Sequence, residues 1–368
     1  MPQDLNKISF SYYPHLLKFR FEAGTSRGTL TEKRTFFLKA YCSDLPDLVG
    51  WGEAAPLPNL SPDDIPDFED LFSKLCIDLS GKNIPNNEKE IYQWVSQHIP
   101  YELPSVRFAF ETALLDLKNG GEKKIFNTEF YNSREPISIN GLIWMGDKDF
   151  MLRQIDEKLE SGFDCIKMKI GAIDFDQECF LLGYIRKRYD AKTITLRVDA
   201  NGAFTASEAL QKMQKLASYD LHSIEQPIKQ GQLAAMSELC AQTSLPIALD
   251  EELIGIYGRN EKIALLEKIK PQYIILKPTL LGGIASSKEW IDIASSMEID
   301  WWMTSALESN IGLNAIAQFT STFQTVLPQG LGTGQLYHNN VASPLVIESG
   351  ALFYDPDKEE WGDLGKTS

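Results

Sequence analysis

The chain has 368 residues, 43% of them hydrophobic and 24% charged, with a formal net charge of −15 and a pI near 4.8. Such a composition belongs to a folded globular chain too long for one small core, and it calls for two domains or one large barrel with additions. The acidity argues against nucleic acid as a partner, since that needs basic surface to displace counterions from phosphate, so an anionic substrate has to be drawn in by a local cluster of cations.

Cys42, Cys76, Cys165, Cys179 and Cys240 are odd in number and scattered, with no Cys-x-x-Cys spacing. Neither a disulfide framework nor a thiolate metal site is indicated. Met1-Pro2-Gln3-Asp4 opens without a basic and apolar leader, and no apolar run reaches the length of a membrane span. The expectation is a reducing cytoplasm, no membrane partner, and an oligomeric state that the sequence leaves open.

In chain order, Leu17-Lys18-Phe19-Arg20-Phe21-Glu22 alternates apolar and charged residues as a half-buried strand does. A polar loop holding Gly24-Thr25-Ser26-Arg27-Gly28-Thr29 leads to a second strand, Arg34 to Tyr41. The two are expected to pair antiparallel through a loop longer than a tight hairpin. Gly50-Trp51-Gly52-Glu53-Ala54-Ala55-Pro56-Leu57-Pro58 reads as a third strand running into a proline-punctuated loop. Helical spacing then takes over from Ser105 to Leu117, where Val106, Ala109, Phe110, Ala113, Leu114 and Leu117 form one apolar stripe.

From Ile137 onward short apolar strands alternate with polar helical stretches. Strands are expected at 137–144, 165–170, 195–200, 223–228, 246–251, 273–278, 300–306 and 326–333. Eight in succession suggest a (β/α)8-type TIM barrel, an α/β fold, behind an N-terminal α+β capping domain. The expected division is 1–132 for the cap, 133–335 for the barrel, and 336–368 for a C-terminal segment packing back on the cap.

One charged residue closes each apolar run: Lys169, Asp199, Glu225, Asp250 and Lys277, at successive steps of 30, 26, 25 and 27 residues. In such barrels the C-terminal ends of the strands carry the active site, so these five should converge on one mouth. Period two places Lys167 and Lys169 on one face of their strand, where two ammonium groups are tolerable only opposite anions. Asp199, Glu225 and Asp250 on three adjacent strands could not crowd together without a cation. An all-oxygen set selects a hard metal, Mg²⁺ first, with Mn²⁺ as a substitute. Lys169 and Lys277, four strands apart of eight, should face each other across it. Taken singly, each carboxylate also fits a salt bridge or a cap.

Lys167-Met168-Lys169, Asp199-Ala200-Asn201, Glu225-Gln226-Pro227, Asp250-Glu251 and Leu276-Lys277-Pro278 together resemble the muconate-lactonizing subgroup of the enolase superfamily, a capping domain followed by a modified barrel. Within it, Gly52 to Pro58, Thr304 to Gly312 and Gly330-Leu331-Gly332-Thr333-Gly334 look like the o-succinylbenzoate synthases. The resemblance implies dehydration of 2-succinyl-6-hydroxy-2,4-cyclohexadiene-1-carboxylate in menaquinone biosynthesis, a carbon–oxygen lyase reaction on a small carboxylate. Strand 8 lacks the Asp-x-Asp pair of the related dipeptide epimerases, which makes a dipeptide a poor candidate. An N-succinylamino acid racemase or a cycloisomerase would share the lysines and the metal site and stays open, as does a non-catalytic barrel.

The chemistry expected from these residues is abstraction of the α-proton of a carboxylate by Lys169, helped by Lys167 and the metal, with Lys277 stabilising the enediolate as a cation. Asn201 and Glu251 are expected to orient the metal ligands, and Asn201 also to touch substrate. Ser305 and Ser309 are candidates for a substrate carboxylate, equally well read as caps of the following helix. The stretches Ser26 to Thr29, with Arg27 expected to touch substrate, and Pro58 to Ser61 are expected to close over the mouth, or else to be solvated turns.

Overall fold

The structure, a computed structural model, describes residues 7–25, 28–42 and 44–364. It opens with three antiparallel strands, β1 (Ile8–Thr25), β2 (Gly28–Cys42) and β3 (Leu45–Ala54), in the order β1-β2-β3. Pairing continues out to Thr25↔Gly28, so the connection is two residues and not the long loop expected. The ladder breaks between Lys18 and Ala23, and there β1 turns toward the barrel, with Phe19 bridging Tyr337 and Gly24 bridging Met145.

Three helices follow: α1 (Phe68–Leu79), α2 (Glu88–His98) and α3 (Pro104–Lys118). The first two have no counterpart in the sequence reading. In α1, Phe68, Phe72, Cys76 and Leu79 recur once per turn and bury one stripe against the sheet, where Phe36 stands 5.0 Å from Phe68. The expected apolar stripe of α3 is present, but the helix is buried on every side, Arg107, Glu111 and Asp116 included. The stripe faces β3, where Asp116 accepts from Trp51 N (2.8 Å); Arg107 and Glu111 meet the barrel, where Glu111 accepts from Ile284 N (2.6 Å) and Arg107 donates to Gly282 O (3.3 Å).

After α4 (Glu129–Ser133) the chain forms β4 (Ile137–Ser138), β5 (Gly141–Ile143), α5 (Lys148–Glu160), β6 (Cys165–Lys169), α6 (Phe175–Arg186), β7 (Thr195–Asp199) and α7 (Ala206–Ala217). There follow β8 (Ser223–Glu225), α8 (Leu233–Gln242), β9 (Ile247–Leu249), α9 (Arg259–Ile269), β10 (Tyr273–Leu276), α10 (Pro278–Leu281), α11 (Gly283–Ser296), β11 (Asp300–Met303) and α12 (Asn310–Thr320). Strands β5 to β11 form one parallel sheet in sequence order, with helices in the connections.

Two expected strands differ. The 137–144 run is split: β4 pairs antiparallel with β13 (Ala351–Tyr354), itself paired with β12 (Leu345–Glu348), and only β5 joins the barrel. The 326–333 run is no strand. Pro328 and the glycines at 330 and 332 keep it irregular, yet it closes the barrel through bridges to Ile139 on one flank and Thr304 on the other. The modified barrel is therefore seven regular strands and one bridging segment. Val341 and Leu364 pack with Phe37 of the N-terminal sheet.

No disulfide joins the five cysteines, all buried, and no described helix is long and apolar enough to cross a membrane. Gly50 and Gly52 let the sheet approach α3 closely, and Gly52 illustrates it. A Cβ there would lie 2.0 Å from Ala109 O and 2.8 Å from Thr112 Oγ1. Gly52→Ala should therefore destabilise the chain at or above the top of the roughly 1–3 kcal/mol range of overpacking. An unchanged Tm would show that β3 and α3 can separate without cost.

Candidate active site

Register alone brings the site together. Lys169 pairs with Asp199 and Asp199 with Glu225, so three of the five charged residues lie at one level across β6, β7 and β8. Asp250 and Lys277 follow the last residues of β9 and β10. All five, and Lys167, are buried.

Their charges interlock. Lys167 donates to Glu225 and lies 3.2 Å from Asp199 Oδ2. Lys169 donates to Asp199 Oδ2 (3.0 Å) and Asn201 Oδ1 (2.9 Å). Lys277 donates to Asp250 and stands 4.0 Å from Glu225 Oε1. Burial opposes the charged forms, but Asp199 and Glu225 outweigh it at Lys167, and Asp250 and Glu225 outweigh it at Lys277, so both ammonium groups titrate above the ordinary lysine range. For Asp199 burial is outweighed by Lys167 and Lys169, which hold its carboxyl well below the usual range. Glu225 goes the other way. Burial, then the neighbouring charge of Asp199, push it up to about 8.

The backbone is bent hard beneath these groups. Asn201 (φ +44°) and Gln226 (φ +39°), one or two residues past Asp199 and Glu225, adopt left-handed conformations that cost about 1–3 kcal/mol each without glycine. Gln226 holds its turn by accepting from Asp250 N (3.2 Å) and donating to Ile228 O (2.9 Å), which fixes the end of β8 to the end of β9. Asn201 donates to Glu251 Oε1 (3.1 Å), joining the two residues expected to orient the ligands.

Among the described residues no group of three or more His, Cys, Asp or Glu side chains stands as a metal cluster, because ammonium groups occupy the space between the carboxylates. The donor chemistry nevertheless fits a hard divalent cation. Asp199, Glu225 and Asp250 are three buried carboxylates on adjacent strands with no nitrogen or sulfur ligand, and Glu225 Oε1 is buried without a hydrogen bond.

A cavity of about 270 Å³ opens onto Lys167, Lys169, Asp199, Asn201 and Lys277. Ser305 lines it, but Ser309 does not. Ser309 caps α12, accepting from Ile311 N (3.1 Å), and donates to Glu53 Oε2 (2.6 Å). Arg27 and Ser26 lie outside the described residues. The 58–61 stretch does not line the cavity either; its Ser61 Oγ accepts from Leu57 N (2.8 Å), and Leu57 itself, with Phe21 of β1, supplies the apolar wall beside Trp144. Three residues escaped the sequence reading. Trp144, whose ring lies 5.6 Å from Lys169 Nζ, and Asn140 carry no spacing signal. Arg197 does: it is two residues before Asp199 on the same face, and sits buried 4.0 Å over the Trp302 ring inside the barrel.

Lys33 on β2 fixes the far wall. Fully buried, it donates to Ala306 O (3.1 Å) and Leu307 O (2.9 Å), both cavity residues, and Leu307 is held at φ +67°. Glu308 accepts from Ser305 Oγ (2.6 Å) and Ala306 N (2.8 Å), while Glu53 accepts from Thr35 Oγ1 (2.6 Å) and Ser309 N (2.8 Å). Burial lowers the Lys33 pKa against the pull of Glu308 and Glu53. Lys33→Met would leave two buried carboxylates without their cation, so we expect a loss of about 3–5 kcal/mol in unfolding free energy. A denaturation midpoint equal to wild type would remove Lys33 from this role.

Residues 151–357 match the family model described as enolase C-terminal domain-like. The o-succinylbenzoate synthase of Desulfotalea psychrophila is 43% identical over 95% of this chain and 99% of its own length. The crystal structure of MenC from the same organism superposes with a TM-score of 0.80 at 40% identity, covering 94% of this chain and 99% of the other. An N-succinylamino acid racemase from an Amycolatopsis species is 26% identical over 66% of this chain and 65% of its own. The muconate lactonizing enzyme of Pseudomonas fluorescens, at 21% identity and a TM-score of 0.81 over 95% of this chain and 94% of the other, shares the fold. This chain belongs to the enolase superfamily, and within it to the family of the o-succinylbenzoate synthases.

Proposed function

We propose that the chain dehydrates 2-succinyl-6-hydroxy-2,4-cyclohexadiene-1-carboxylate to o-succinylbenzoate, a carbon–oxygen lyase reaction of menaquinone biosynthesis, with Mg²⁺ held by Asp199, Glu225 and Asp250. The observation that carries this reading is the convergence of three buried lysines on three buried carboxylates at one end of the parallel barrel, in a chain 43% identical to a protein of that name. Mn²⁺ is the natural substitute ion.

When bound, the divalent ion supplies positive charge for the substrate carboxylate and acidifies its α-proton. Lys169 takes that proton. Its ammonium form is held by Asp199 and Asn201, so charge compensation of Asp199 by another cation loosens the hold on the Lys169 proton and frees the amine to act as base. Lys277, separated from β6 by three strands, remains a cation facing the enediolate. Departure of the β-hydroxyl completes an aromatic ring, and the proton on Lys169 and the hydroxide sum to one water. Trp144, Phe21 and Leu57 wall the ring from solvent.

A second reading, racemisation of an N-succinylamino acid, draws on the same pair, because a racemase needs a base on each side and Lys169 and Lys277 provide one each. A purified sample assayed for divalent-dependent aromatic product, beside an N-succinylamino acid panel, separates the two. Turnover of neither would leave a non-catalytic barrel.

Calorimetry should register one Mg²⁺ per chain. Asp250→Asn should weaken it by more than the roughly 10–100-fold that follows loss of an outer-shell partner. Undiminished affinity in the amide variants of Asp199, Glu225 and Asp250 would sink the ligand assignment.

The two lysines should prove unequal in a dehydrating enzyme. Lys169→Ala should cut dehydration by about 10³-fold or more, and should stop exchange of the α-proton of a slow carboxylate analogue in D₂O. Exchange that persists in Lys169→Ala but disappears in Lys277→Ala reverses the roles.

A further inference from the structure

A second cavity, of about 610 Å³, lies behind one wall of the first. That wall is a single 3₁₀ turn, Thr333–Leu336. Residues three apart share a face of such a turn, and here Thr333 and Leu336 line the catalytic cavity while Gly334, Gln335 and, next along, Tyr337 line the second. Ile347 of β12 borders both. Thr333 Oγ1 donates to Ser305 Oγ (2.7 Å) and the Tyr337 hydroxyl donates to Leu307 O (2.7 Å). The turn is thereby tied at both ends to the Ser305–Leu307 wall of the catalytic cavity.

Hydrogen-bonding capacity in the second cavity is left over in both senses. Asn310 Oδ1 is buried without a donor, and it lies against Gly334, where a Cβ would come within 2.5 Å of it. Arg20 donates from Nε to Tyr337 O (3.0 Å), and no acceptor among the described residues meets its two terminal nitrogens. Ser343, also buried, accepts from Leu345 N (3.4 Å) and has no acceptor among the described residues for its own hydroxyl proton. Such groups are costly unless an occupant completes them, so the occupant has to bring an N–H for Asn310 and an anionic oxygen for Arg20 and Ser343. Glu359 lines the same cavity with no ion pair among the described residues, and its charge favours a ligand that carries a cation beside its anion. Leu313, Val341 and Leu352 add apolar surface.

We propose that this cavity binds an α-amino acid with an apolar side chain, its carboxylate on the Arg20 guanidinium and its ammonium on Asn310 Oδ1, and that the Thr333–Leu336 turn carries its presence to the catalytic cavity. The two anchors are close enough for one small ligand. Arg20 is held at Tyr337 O and Asn310 Oδ1 at Gly334, three residues apart and about 6 Å along a 3₁₀ turn. An ammonium and a carboxylate on one carbon, each reaching its partner over about 3 Å, bridge that gap. A plain carboxylate leaves Asn310 Oδ1 without a donor. A plain amine leaves Arg20 without an acceptor. None of these anchors lines the catalytic cavity, so the assignment does not depend on which reaction runs there.

The test titrates the whole protein by calorimetry with L-leucine and L-phenylalanine, each beside the analogues that lack its ammonium (4-methylpentanoate, 3-phenylpropionate) or its carboxylate (3-methylbutylamine, phenethylamine). Wild type should bind at least one of the amino acids about 10-fold or more tighter than either of its analogues, the increment of a charge-assisted bond. Arg20 is exposed on β1, so Arg20→Gln keeps the fold; it should weaken that amino acid about 10-fold and leave the amine analogue as it was. With the amino acid saturating, backbone amide exchange over residues 305–308 should slow about 5-fold, the lower end of couplings between sites, and at the same concentration Arg20→Gln should show no slowing. The site is overturned if neither amino acid binds, if the analogues bind as tightly, or if Arg20→Gln leaves the affinity unchanged. Unaltered exchange over 305–308 with the amino acid bound overturns the relay.

Discussion

The structure depends on an alternation of buried charge: Lys167, Lys169 and Lys277 interleaved with Asp199, Glu225 and Asp250 at the ends of five consecutive strands. None of these groups could be buried alone, since an isolated charge in a protein interior costs far more than a domain's net stability. Removing one member exposes the others to the full desolvation penalty. That interdependence leaves Asp199 strongly acidic and Glu225 weakly so: two carboxylates side by side share three cations unequally.

The N-terminal sheet is tied to this arrangement by charges of its own. Lys33 reaches from β2 into the turn after β11, and Glu53 from β3 reaches the start of α12. Both contacts are fully buried and span more than 200 residues of sequence. They hold the Ala306–Leu307 turn, with its left-handed Leu307, against the cavity, and they dock the sheet so that Phe21 and Leu57 face the same space. The wall of the cavity and the docking of the sheet are one construction.

The charged mouth was legible because β periodicity and barrel topology together force residues at strand ends to one place, so a spacing of 25 to 30 residues carries three-dimensional information. Other features were not. Ser309 reads equally as ligand or cap, and its bonds to Ile311 N and to Glu53, 256 residues away, decide for the cap. The 326–333 run has strand-like residues, yet its proline and glycines yield two isolated bridges, and the 137–144 run divides because β13 arrives from the far end of the chain to claim β4. In α3 the apolar stripe was visible, but not that the opposite face is buried too. Its Arg107 and Glu111 look like solvated residues until α11 is placed beside them.

On the proposed reading, proton chemistry and substrate choice are carried by different parts of this molecule. The lysines and carboxylates stand at strand ends whose register fixes them, while much of the remaining wall comes from β1, the loop after β3, α5, the turn after β11 and the 330–332 segment, none of which is a regular strand of the barrel sheet. A substitution in those walls can change the ligand without disturbing the interlocked charges, because it touches no buried ion pair. The converse is not open: the charged set tolerates little, as each member neutralises its neighbours. A fold so divided keeps its backbone while its relatives diverge, which accounts for a TM-score of 0.81 with a muconate lactonizing enzyme at only 21% identity. On the proposed reading, the difference between a dehydrating enzyme and a racemase lies in how the walls set a substrate between Lys169 and Lys277, since both reactions begin with the same proton and the same developing charge.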